Sequence, residues 1–463
     1  MTALVPDRCL RALGQPGPTS LGGVPEGFAA AVLLGLAQAQ AATVLYIARD
    51  DARLARLAAM LAFFDPDCAQ VTFPAWDCLP YDRVSPRADI ASRRLAVLVR
   101  LLSEGAARPR VVLTTVNAAV QRVPPRTMLA DATLPLAAGA SRDVETLLGY
   151  LERNGFVRAG TVMEAGDYAV RGGIVDIFPP NAERPVRLDF FGDVIETMHW
   201  FDPVSQRRAE PADALHLAPV SEVLLTPQSI ARFRGAYRRT FGAVTGDDPL
   251  YEAVSAGRRY PGIEHWLPMF HEGLETLFDY VPEGPVLLDH RAAEVRDDRF
   301  ETIADFYGAR ANPPSSSIAD APYHPVPPES LFLDAEEWQR LLAERPVVQC
   351  SPFVEAEGGA DAGAREGRDF VAERTQQQGA LFETVGEHID RLLDSGLRIL
   401  IASGGAGSRD RMVRLLQEHG VHGIEPVADW QGACALPPSI AAAAVLPLER
   451  GFVSTGLAVI AEQ

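Results

Sequence analysis

At 463 residues, and about 100–200 residues per domain, the chain has room for roughly three or four domains. It is 47% hydrophobic and 22% charged, the balance of a water-soluble globular protein with several cores to fill. No run of about 18 uncharged apolar residues marks a membrane span. The formal charge of −18 argues against a general nucleic-acid binder, because duplex binding rests on cations that displace counterions, although it leaves room for a local basic face.

All 43 cations are arginine. No lysine exists to serve a phosphate loop, a Schiff base or general-base catalysis. Cys9, Cys68, Cys78, Cys350 and Cys434 show neither CxxC spacing nor pairing, so neither a zinc ribbon nor a disulfide framework is expected. His419 and His422 are close in sequence, but no further ligand completes a metal set. The first residues lack the basic start and apolar stretch of a signal peptide. The expected location is therefore the cytoplasm.

In chain order, residues 1–133 alternate helical and strand patterns. Helices are predicted at 29–40, 53–64 and 90–102, and strands at 42–48, 71–73 and 111–115. Such alternation predicts a parallel sheet covered on both faces. Residues 134–219 change character, with strand-rich stretches at 168–179 and 185–201 punctuated by Gly and Pro, as in a small antiparallel α+β module. Residues 220 to about 330 return to the first style. Two loose segments follow, 312–328 and 355–367. The final region, 331–463, carries a helix at 380–393, a strand at 397–402 and a helix at 410–418, a small α/β unit. The fold class expected is thus α/β multidomain.

Two motifs carry nucleotide chemistry in outline. Gly22-Gly23-Val24-Pro25-Glu26-Gly27-Phe28-Ala29 has the G-x-x-x-x-G frame of a phosphate loop opening a helix. A working loop continues with Lys for the phosphates and Ser or Thr for magnesium; here Phe28 and Ala29 stand there, and Glu26 adds negative charge. The apolar run 286–288 ends in Asp289-His290. Helicase-type ATPases place Asp-Glu at such a strand end, so the metal-binding Asp is present and the Glu is replaced by His290. Both motifs are broken at their reactive residues, and no catalytic residue is expected. The competing reading, an active ATP-dependent helicase or translocase, requires the missing Lys and Glu. Gly404 to Arg409 opens another helix and reads as a structural turn.

Longer strings give a resemblance. Leu79-Pro80-Tyr81-Asp82 followed by Ser85-Pro86, the stretch from Gly166 through Gly172-Gly173 to Pro179, and Glu183 to Asp193 resemble the bacterial transcription-repair coupling factors (Mfd) and, in the second and third strings, the excision-repair protein UvrB. The resemblance implies a degenerate, RecA-type UvrB-like domain in two parts (1–133 and 220–330). It also implies an inserted UvrA-binding module at 134–219 and a linker with a third domain at 331–463. It identifies the chain as the family's N-terminal region, with UvrB's extended DNA-clamping hairpin missing after Tyr81-Asp82. ATP, magnesium, DNA and RNA polymerase would then belong to motor and polymerase-binding domains outside this sequence, and the family's C-terminal domain would mask the UvrA face.

Alternation in 186–191 puts Val186, Leu188 and Phe190 on one face and Arg187, Asp189 and Phe191 on the other. Arg and aromatic side chains together suit an interface hot spot. A sheet packed on both faces, with Arg187 paired to Asp189 or Asp193, is the alternative. The resemblance assigns UvrA binding to Arg171, Arg187 and Phe191, with Gly172-Gly173 expected as a bulge re-aiming its neighbours.

Overall fold

The computed structural model describes residues 4–6, 9–10, 13, 17–39, 42–102, 110–180, 182–244, 248–312, 323–354, 359–374 and 378–462. Its first sheet has seven strands, all parallel, in the order Ala360–Asp361, Gly17–Gly22, Pro346–Cys350, Val286–Leu288, Val44–Ala48, Val111–Thr115, Gln70–Phe73. Strands Val44–Ala48 and Val111–Thr115 are buried along their whole length, as continuous apolar runs in a sheet covered on both sides must be.

Helix Ala29–Ala39 is apolar all round and buried from Ala29 to Ala37. A helix without a polar face needs partners on every side, and it has them. One continuous core runs from Tyr46 and Leu113 of the first sheet through this helix to Leu400, Ala444 and Phe452 of a second α/β unit. That unit is built on a six-stranded sheet ordered Arg365–Glu366, Phe452–Val453, Leu457–Ala461, Arg398–Ser403, Ala441–Val445, Ile424–Pro426. The opposite face of the first sheet packs Ile47, Val112 and Leu288 against Phe233, Tyr280 and Trp338.

The inserted module is held at its neck. Its first and last strands, Leu134–Ala137 and Ala214–Leu217, pair antiparallel with Leu134 opposite Leu217. The Tyr150 hydroxyl bonds the carbonyls of Ala132 (2.7 Å) and Leu217 (3.0 Å), stapling the chain where it leaves and rejoins the body. Beneath the neck Arg94 and Glu222 form a fully buried ion pair at 2.6 Å, to which the Trp76 indole N–H adds a hydrogen bond at 3.1 Å. The module proper is a six-stranded sheet, Arg208–Pro211, Val194–Phe201, Val186–Phe191, Ile174–Ile177, Asp167–Arg171, Val157–Arg158. It is antiparallel except for its last pair. Helix Val144–Arg153 covers one face through Leu147 and Leu151, packed on Val175, Leu188 and Met198.

Two features differ from the sequence-based expectation. Strands Pro346–Cys350 and Ala360–Asp361 complete the first sheet, although texture groups them with residues 331–463. A short apolar strand bears no mark of which parallel sheet it joins. The strand-rich stretch 168–179 is a hairpin, Asp167–Arg171 and Ile174–Ile177, whose two-residue turn is Gly172-Gly173, where a bulge was expected. Gly172 sits at φ +63°, where a side chain is strained, so this is a turn and not a bulge. The bulge lies across the next hairpin, between Ile195 and Thr197. The expected connector 312–328 falls largely outside the described residues, as do 355–358 of the second loose segment. Among the described residues no helix is long and apolar enough to cross a membrane.

Candidate functional sites: a plugged nucleotide loop and a hairpin face

The phosphate-loop frame and Asp289 come together at the C-terminal edge of the first sheet. The loop is shaped by contact. Gly23 has φ +67°, and a Cβ there would lie 2.4 Å from an Asp361 carboxylate oxygen and 2.9 Å from the Ala364 carbonyl. Phe28 is fully buried, edge-on to Phe452 at 5.6 Å between ring centroids. Ala29 is buried beside it. The positions that would present Lys and Ser or Thr to a nucleotide thus face an apolar interior shared with the second α/β unit.

A cation does reach the site, from another helix. The Asp50 side chain caps helix Asp51–Phe64 by accepting from the Arg53 amide. That cap sets the first turn so that the Arg53 side chain runs inward. Its Nε lies 3.0 and 3.1 Å from the two Asp289 carboxylate oxygens and its Nη2 2.9 Å from Oδ1; Nη1 is 3.6 Å from Glu26. Arg56 pairs with Glu26 on one side and, at 2.9 Å, with Glu449 on the other. Burial alone would push the Arg53 guanidinium down, but Tyr46, Asp289 and Glu26 around it hold it firmly protonated. The Tyr46 hydroxyl, raised first by burial and then by Asp289, stays neutral and hydrogen-bonds that carboxylate.

ATP and magnesium do not fit these residues. Asp289 already accepts from Arg53 and Tyr46 at a buried position, Glu26 opposes phosphate charge, and no ammonium is at hand. His290 is half-buried and edge-on to Phe353 at 5.8 Å. Arg53 was not visible as a site residue from sequence. The available signal was a cation at the start of a helix whose other inward positions are apolar.

In the inserted module Val186 and Leu188 are buried and Phe190 is half-buried on the core face. The reverse face carries Arg187, Asp189 and Phe191. Phe191 is 79% exposed, at the mouth of the Gly192-Asp193 turn that joins it to Val194. Arg171 is exposed at the neighbouring hairpin, its guanidinium 2.6 Å from the Gly160 carbonyl. Ile174 pairs with both Arg171 and Asp189, which sets Arg171, Ile174 and Asp189 in one row beneath Phe191.

Arg187 behaves differently from the other two. It forms a bidentate pair with Asp176 (2.7 and 2.8 Å) and lies over the Phe201 ring at 4.9 Å. Hydrogen bonding to Asp176 raises its pKa against the opposing effect of burial. The partners named in the alternative reading, Asp189 and Asp193, are displaced by register: Asp176 stands directly opposite Arg187, and Asp189 is taken by Arg208 at 2.8 Å and Thr197 at 2.9 Å. Asp176 was missed in the sequence, although an acid inside the apolar run 174–177 was its signal. The Gly404–Arg409 turn is closed by the chain itself. Glu462 accepts from the Gly404 amide at 3.2 Å and from the Ser408 hydroxyl.

The family description "UvrB interaction domain" matches residues 134–222, the module just described. Transcription-repair-coupling factor of Escherichia coli (strain K12) is 34% identical over 341 residues, 72% of this chain and 28% of that protein. The Myxococcus xanthus protein of the same name is 30% identical over 461 residues, 93% of this chain and 37% of its own length. The chain belongs to the transcription-repair coupling factor family. It corresponds to the family's UvrB-homologous N-terminal region. Its matches span between 19% and 37% of the length of such relatives.

Proposed function

We propose that these residues form a recruitment module that docks UvrA on the hairpin face of the 134–222 sheet and hydrolyses no nucleotide. In a coupling factor this brings the excision-repair machinery to a stalled RNA polymerase. ATP-driven translocation on DNA, and the contacts to polymerase and DNA that go with it, are assigned to other parts of such a protein. The reading rests above all on one observation: Phe191 and Arg171 stand exposed on adjacent hairpins of the very region that matches the UvrB interaction domain. An aromatic knob beside a guanidinium is the anchor chemistry of protein interfaces.

Arg187 supports the face from beneath, its Asp176 pair fixing the strand that carries Phe191. The Arg53 plug supports the second half of the reading, because it occupies Asp289 and Glu26 with an internal cation. A C-terminal domain masking the same face would make binding conditional in a longer chain. The protein is assigned to the cytoplasm, where UvrA and RNA polymerase meet. Co-elution of this chain with purified UvrA on gel filtration tests the proposal, run beside an ATP-turnover assay of the chain alone. Co-elution without turnover is expected. Turnover above a protein-free blank, or separate elution at tens of micromolar, would overturn it.

A further inference from the structure

In an acidic chain, helix Pro227–Phe241 is an exception. Its 15 residues contain Arg232, Arg234, Arg238 and Arg239 and no acid. Phe233 and Tyr237 face inward, against Phe270 and Tyr251, and they fix which side faces water. Arg234, Arg238 and Arg239 are exposed and Arg232 is half-buried.

At about 100° per residue, Arg234 and Arg238 fall on one flank of the outer face and Arg232 and Arg239 on the other. Ala231 and Gly235 lie between them as a low floor. Arg234 and Arg238 are separated by about 6 Å along the axis.

Among the described residues, Arg234, Arg238 and Arg239 form no ion pair, whereas several other exposed arginines do. Arg184, Arg208, Arg291, Arg365 and Arg450 each pair with an acid. Among the described residues, Arg234 reaches only the Tyr251 hydroxyl at 3.5 Å and Arg238 only a carbonyl of its own helix. Arg232 alone has an acid, Glu272, itself 85% exposed, and such a surface pair contributes little.

We propose that the outer face of helix Pro227–Phe241 binds the phosphate backbone of duplex DNA. Charge complementarity favours a polyanion. None of the large exposed apolar side chains lies on this helix, so a protein partner would find no anchor there. No exposed aromatic offers stacking for single-stranded bases. Small residues between two rows of guanidinium let a sugar-phosphate backbone come close, and guanidinium forks match phosphate geometry. The net charge of −18 opposes the approach, so binding is weak and falls steeply with salt.

The test is fluorescence anisotropy of a labelled 30-base-pair duplex of mixed sequence, titrated with the whole chain at 50 and 200 mM salt. Micromolar binding at 50 mM is expected. With four phosphate contacts, the logarithmic salt slope is about −3.6, a loss of roughly 150-fold at 200 mM. Replacing Arg234, Arg238 and Arg239 together by Ala should weaken binding at least tenfold and flatten the slope by about 3. The matching triple Lys variant should retain binding, and UvrA docking should be untouched. No binding at 50 mM, or an Ala variant that binds as the parent does, would overturn the proposal. Displacement of the duplex by poly-glutamate at equal charge concentration would also overturn it, in favour of an acidic polypeptide.

Discussion

Arg53→Ala removes the cation that joins Glu26 to Asp289. Asp289 is 3% exposed, and Arg53 carries three of its close contacts, between 2.9 and 3.1 Å. Taking away one partner of a buried pair leaves the other charge uncompensated, at about 3–5 kcal/mol. The Tyr46 hydroxyl still bonds Asp289, which argues for the lower half of that range. The structure also says where the loss falls. Glu26, Arg56 and Glu449 link the loop to the second α/β unit, so the first sheet and that unit should both loosen. Urea unfolding followed by circular dichroism is the assay, with a lower midpoint expected at unchanged m-value. The double variant Arg53→Met with Asp289→Asn removes both charges and should regain most of the loss, since an isosteric neutral pair is often no worse than a buried ion pair. A single variant within about 1 kcal/mol of the parent would refute the plug as a structural element. ATP turnover appearing in either variant would contradict the reading of the loop as non-catalytic.

Four further outcomes are expected. Phe191→Ala should leave the urea midpoint within about 0.5 kcal/mol of the parent, because the ring is exposed, while lowering UvrA affinity about 30-fold in a binding titration, or about 2 kcal/mol. Asp176→Ala strands Arg187 over Phe201, and should lower stability by about 2–4 kcal/mol and weaken UvrA binding with it; a double-mutant cycle with Arg187→Ala reads the coupling. Gly23→Ala places a Cβ against Asp361 and Ala364 at positive φ and should destabilise by about 2 kcal/mol or more in the same urea assay. His265 and His271 are each depressed by burial to about 4. Their stabilising contribution is therefore present above the unfolded pKa near 6.5 and is lost as pH falls towards about 4. Urea midpoints measured between pH 7 and 4 should fall, and fall less in His265→Gln.

The parallel sheet was legible because its central strands are unbroken apolar runs and its helices keep their period. The hairpin face was legible in part, since period-two alternation separates Leu188 from Phe191 without structure. What the sequence could not show is contact at long range. Arg53 and Asp289 are 236 residues apart, and nothing local marks them as partners. The alternative reading of Arg187 named Asp189 or Asp193 because they are near in sequence, whereas its partner Asp176 is near in register. Strand Pro346–Cys350 was misplaced for a related reason: parallel strands take their neighbours from the whole chain. Arg234, Arg238 and Arg239 of helix Pro227–Phe241 were plain as letters, but their lack of an ion pair among the described residues is a property of the folded surface.

Calorimetric titration of UvrA with this chain, parent against Arg171→Ala with Phe191→Ala, tests the docking face most directly. Both side chains are exposed, so the variant should fold as the parent does. If the hairpin face carries UvrA, the parent gives a measurable heat of binding and the variant gives none at the same concentrations. Equal affinity for the two proteins would contradict it, and would place the UvrA contact, if one exists, elsewhere on the chain.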